Sequence, residues 1–82
     1  MTMPYFVDVY FPPGLPVDRD EIEDELSELD GFEVVGAGTG ESGSNLDLEV
    51  SSDLASGDAV RQVTEILERL GVAPGARINV SD

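Results

Sequence analysis

The sequence predicts an α+β domain: two interlocked βαβ halves forming one four-stranded antiparallel sheet, strand order 4-1-3-2, with both helices on one face. Three observations carry this expectation. The central stretch Phe32–Val50, FEVVGAGTGESGSNLDLEV, reads as strand, glycine-rich bend and strand. Its second arm sets Leu46, Leu48 and Val50 on one side and Asn45, Asp47 and Glu49 on the other, the period of a half-buried strand. A segment of helical spacing stands on each side of this hairpin, and a β-type run lies outside each helix. The order is strand, helix, hairpin, helix, strand, and right-handed crossovers select the stated arrangement.

The first strand is Tyr5–Phe11 (YFVDVYF), β-branched and aromatic. Alternation separates Tyr5, Val7, Val9 and Phe11 from Phe6, Asp8 and Tyr10. Pro12, Pro13, Gly14 and Pro16 end the strand and stiffen the connection. The first helix is predicted over Asp18–Asp30. Asp18 is placed as N-cap, Glu21 completes an Asp version of the capping box, and Val17 and Ile22 form a hydrophobic staple. Ile22, Leu26 and Leu29 make a narrow apolar stripe, and Gly31 is placed as the left-handed residue that ends the helix. The remaining surface is Asp20, Glu21, Glu23, Asp24, Glu25 and Glu28, offset by Arg19.

After the hairpin, Ser51–Gly57 is a polar connection with Asp53 or Ser56 as the candidate cap. The second helix is predicted over Asp58–Leu70, with Val60, Val63, Ile66, Leu67 and Leu70 at helical spacing. Arg61–Glu65 and Glu65–Arg69 are opposite-charge pairs four residues apart. Gly71 ends this helix, Pro74-Gly75 makes a turn, and Arg77–Val80 is the last strand, with Ile78 and Val80 inward. The second face of the sheet is left open. By alternation it carries Phe6, Asp8, Tyr10, Glu33, Val35, Ala37, Asn45, Asp47, Glu49, Arg77 and Asn79.

The 82 residues make one domain, residues 1–82, large enough for a single thin core. There is no cysteine, which excludes disulfides and thiolate metal sites and fits a reducing cytoplasm. The N-terminal stretch has neither a basic start nor a continuous apolar run, so no signal peptide or membrane span is expected. Eighteen Asp and Glu face four Arg, with no Lys or His, for a net charge of −14. Such a field repels phosphate backbones and anionic membranes and attracts cationic proteins. The expectation is a basic protein partner, no nucleic acid and no membrane. The plainer alternative is acidity for solubility or salt adaptation.

No motif identifies a reaction. Gly38-Thr39-Gly40-Glu41-Ser42-Gly43 matches G-x-G-x-x-G, but a dinucleotide fingerprint leads from a strand into a helix, and this one joins two strands. Flexible glycines at a hairpin tip account for it. No calcium loop of the D-x-[DN]-x-[DN]-G type is present, so no metal and no cofactor is expected. Without His, Cys or Lys, catalysis would fall to carboxylates, of which Asp47 and Glu49 are the pair that could share a proton.

Over nearly its full length the chain resembles ferredoxin-like modules in topology. Acylphosphatases resemble it too, but their phosphate-cradling loop with its arginine is missing after the first strand. In open-sheet RNA binders Phe6 and Tyr10 would be stacking aromatics, a role the neighbouring acids oppose. Small size, acidity and the GTG-x-x-GSN-x-D-x-E hairpin are similar to small bacterial immunity and antitoxin proteins, which imply a non-enzymatic inhibitor of a basic toxin, often a nuclease. The leading expectation is such a module, with Asp20, Glu21, Asp24, Glu25, Glu28, Asp47 and Glu49 carrying the contact. Phe6, Tyr10 and Val35 are the candidates for an open-sheet interface. The alternative is a homodimeric regulatory or small-ligand domain of the ACT kind, with ligand near Pro12–Val17. A small carboxylate-using enzyme is the third reading.

Overall fold

β1 (Tyr5–Phe11) occupies an interior position of the sheet in a computed structural model that describes residues 4–14, 16–40 and 42–81. It pairs antiparallel with β3 (Gly43–Val50) on one side and with β4 (Arg77–Ser81) on the other. β2 (Phe32–Gly40) adds to the far side of β3, so the order is β2-β3-β1-β4, the predicted one read from the opposite edge. With α1 (Arg19–Ser27) and α2 (Ser56–Arg69) this is the ferredoxin-like arrangement. Leu15 in the first loop and Glu41 in the hairpin bend lie outside the described residues. Among the described residues no helix is long and apolar enough to cross a membrane.

The core forms where the alternating faces of β1 and β3 meet the helices. Val7, Val9 and Phe11 stand beside Leu46, Leu48 and Val50, and all six are buried against Ile22, Leu26, Val63 and Leu67. Each such side chain contributes about 1.5–3 kcal/mol by leaving water. Ala59 and Val72, which the helical stripe does not single out, are buried too, whereas Val60 is half-buried. No charged or polar side chain is buried among the described residues.

Local differences from the sequence reading have physical causes. α1 stops at Ser27 instead of Asp30, because Leu29 N donates to Leu26 O at 3.2 Å and Phe32 N to Leu29 O at 3.3 Å, closing two short turns. Gly31 takes the expected positive φ at the entry to β2. Asp18 is the N-cap residue, but its side chain makes no capping hydrogen bond. An Asp-and-Glu box would press two carboxylates together in one turn. α2 begins at Ser56 behind Ala55, so neither Asp53 nor Ser56 caps it. Arg61 pairs with Glu65 at 3.4 Å as expected and also with Asp58 at 3.7 Å. The Glu65–Arg69 pair does not form, because Arg69 reaches across to Glu25 of α1.

The sheet departs from simple alternation at one point. Val34 stands opposite Leu48 and Gly36 opposite Asp47, so Val35 is an extra residue without a β3 partner. The bulge shifts the phase of β2, placing Ala37 opposite Leu46, on the helix side, instead of on the open face. At the other edge Val80 lies opposite Val7, on the core side, yet stays 43% exposed because the helices do not reach over β4.

Gly43, at the start of β3, has φ +134°, and a Cβ there would stand 2.1 Å from the carbonyl oxygen of Phe11. Gly43→Ala is expected to destabilise the fold by about 3 kcal/mol, read from the urea midpoint. Gly40→Ala, where nothing lies within 4 Å, should cost less than about 1 kcal/mol. Equal effects would show that the approach of β3 to β1 at Gly43 does not constrain the hairpin.

Candidate functional site: the open face of the sheet

The register orders the uncovered face into three rows running across the strands. Glu33, Glu49, Phe6 and Ser81 form the first, Gly36, Asp47, Asp8 and Asn79 the second, and Gly38, Asn45, Tyr10 and Arg77 the third. Residues directly opposite in an antiparallel pair are close neighbours, and like charges there are destabilising. Two of these junctions join like charges: Glu33 with Glu49, and Asp8 with Asp47. Phe6 and Tyr10, 37% and 39% exposed, stand on either side of Asp8 along β1, and Val35 is exposed at the bulge.

Asp8 and Asp47 stand directly opposite each other across β1 and β3. The Asp8 carboxyl is held above the ordinary carboxylate value, first by desolvation, then by a hydrogen bond to the Asp47 side chain and by the charge of Asp47. The register sets this cross-strand pair side by side on the uncovered face. The glycines of β2 make room for it. A Cβ on Gly36 would lie 2.7 Å from Oδ2 of Asp47, and one on Gly38 2.8 Å from Oδ1 of Asn45. The β3 side chains thus lie across bare β2 backbone. This is the structural use of the repeated glycines in GAGTG.

The residues expected to form one contact surface fall on two. Asp47 and Glu49 alternate with Leu46, Leu48 and Val50, which pack against α1, so these two acids face away from the helices. Asp20, Glu21, Asp24 and Glu28 are exposed on α1, on the opposite side of the sheet. Glu25 is half-buried and taken up by Arg69, and Asp20 lies 3.3 Å from Arg19. Sequence reading passed over Asp8 and Glu33 as site residues. Only the pairing register, which no single strand contains, brings them beside Asp47 and Glu49.

Two concavities border this face. One of about 240 Å³ is lined by Pro4, Gly31, Phe32, Glu33, Glu49 and Ser51. The other, about 480 Å³, is lined by Tyr10, Pro12, Gly75, Arg77 and Asn79. The Tyr10 hydroxyl donates a hydrogen bond to the carbonyl of Ser42, which ties the ring to the hairpin bend. Among the described residues no three acidic side chains converge as metal ligands.

No protein-family model matches the chain, and no curated protein does. Among solved structures, the crystal structure of PH0061 is similar, with a TM-score of 0.58 and 21% identity over 94% of this chain and 51% of that one. The chain spans about half the length of that protein, and at this identity the likeness shows the fold alone.

The Asp8–Asp47 contact has a signed consequence. Because the folded Asp8 carboxyl holds its proton more tightly than in the unfolded chain, its contribution is fully present below the ordinary carboxylate value. It is lost as pH rises through the raised one. Asp8→Asn is therefore expected to raise stability at pH 7 by about 0.2–1 kcal/mol and to flatten this part of the pH profile. Urea unfolding of both proteins between pH 4 and pH 7 (about four points) measures it. A variant less stable than the parent at pH 7 would show that the pair is not repulsive.

Proposed function

We propose that this chain is a non-enzymatic, cytoplasmic acidic module that binds and neutralises a basic protein, in the manner of bacterial immunity or antitoxin proteins, and that it docks through the open face of its sheet. The observation that carries the reading is the set of like-charge junctions. Asp8, Glu33, Asp47 and Glu49 gather on one rigid face, where their mutual repulsion costs stability and a cationic surface relieves it. The half-exposed rings of Phe6 and Tyr10 add the aromatic anchors that interface centres favour. The acids of α1 lie on the far side and contribute long-range attraction instead of contact.

Charge also argues for a foreign partner over a second copy of the chain. Two open faces brought together would set four carboxylates against four, in molecules that each carry −14. Electrostatic capture of this kind speeds association and weakens with salt.

The test is capture of partners from native extract at low and moderate salt, followed by association kinetics with the retained protein. A basic protein is expected, with an association rate that falls steeply as salt rises. The double variant Asp47→Lys, Glu49→Lys should slow association by about tenfold or more, while Asp20→Lys, Asp24→Lys should slow it by about threefold at most. No basic protein retained at low salt would overturn the module reading. Retention that is sensitive only to the α1 variant would move the contact to the helix.

A further inference from the structure

We propose that the concavity beside β4 is a binding site for a small aromatic monocarboxylate, with Arg77 as the residue that receives the carboxylate. This site is separate in chemistry from the carboxylate rows and goes beyond the protein-docking role.

The starting observation is the distribution of the four arginines. Arg19 pairs with Asp20 and Glu23, Arg61 with Asp58 and Glu65, and Arg69 with Glu25. Among the described residues Arg77 has no carboxylate within 4.0 Å. Eighteen acids are available in the chain. Asp8 is only one register step away, since it faces Asn79 while Tyr10 faces Arg77. Yet no salt bridge joins Asp8 to Arg77, and Arg77 lines the concavity.

The rest of the wall suits an aromatic acid. A guanidinium presents parallel donors that match a carboxylate two-to-two. The Asn79 side chain adds an amide donor, and the Tyr10 ring, tethered through its hydroxyl to Ser42, gives a fixed aromatic surface. Pro12 and Gly75 complete the lining, packed so that a Cβ on Gly75 would be 3.0 Å from Cγ of Pro12. The volume, about 480 Å³, falls within the range of small-molecule sites. The net charge of −14 opposes anions in proportion to their charge, which selects a single carboxylate over a phosphate dianion.

Sodium benzoate, with benzamide as its uncharged counterpart, tests this by titration into the labelled protein, following backbone amide resonances. Benzoate is expected to give saturable shifts at Tyr10, Gly75, Arg77 and Asn79, with benzamide binding at least about tenfold more weakly. Arg77→Gln should weaken benzoate by a similar factor, and Arg77→Lys, which keeps charge but not the fork, by less. Absence of saturable benzoate shifts in the native protein overturns the site. So does benzamide binding as well as benzoate, a comparison that needs no variant to fold. Neither result bears on capture of a basic protein, which is read separately by the Asp47 and Glu49 reversals.

Discussion

The pairing of β1 with β3 is the constraint on which the rest of this molecule depends. A strand's side chains alternate strictly, so the register that sets Val7 beside Leu48 and Val9 beside Leu46 beneath the helices must also set Asp8 beside Asp47 in water. The core and the acidic face are two readings of one alignment. A slip of one residue would bury the acids and expose the apolar set, at a cost a small domain could not bear. Burial on one side therefore holds together, on the other, charges that would not choose to be neighbours.

Around that pair the remaining elements divide their tasks. α1 and α2 cover the apolar side, with Ile22, Leu26, Val63 and Leu67 in the same cluster as the strands, and the Arg69–Glu25 contact joins the two helices at the surface. β2 contributes Glu33 and bare backbone across which Asp47 and Asn45 lie. β4 contributes the cation of the open face, Arg77, and completes the wall of the larger concavity. On the core side, Tyr5 ties the start of β1 to the loop before α2 by donating from its hydroxyl to the carbonyl of Leu54 at 2.6 Å. Burial, and then the charge of Asp58, hold that phenol above its ordinary value.

Much of the fold was legible because the informative signals are local. The alternation of Leu46, Leu48 and Val50, the spacing of Ile22 and Leu26, and the prolines after Phe11 each act within a few residues. The failures were non-local or competitive. Arg69 had a sequence neighbour in Glu65 but found Glu25 on another helix, a choice set by helix packing. Val35 and Ala37 were read by simple alternation, and one extra residue in β2 shifted the phase. The candidate surface was legible only in part. Asp47 and Glu49 lie where alternation put them, the acids of α1 lie across the sheet as helices on one face imply, and Asp8 and Glu33 gain meaning only through cross-strand neighbours.

The bulge at Val35 has a further effect on how the protein behaves in a crowded solution. β2 is an edge strand, and a straight edge offers a row of unsatisfied amides and carbonyls on which another chain can template itself. An unmatched residue between Val34 and Gly36 breaks the regular spacing of that row and twists the strand. At the opposite edge, β4 is only five residues long. The sheet is thereby poorly shaped to stack on a copy of itself, and the irregular edge works against fibre growth even where charge is screened.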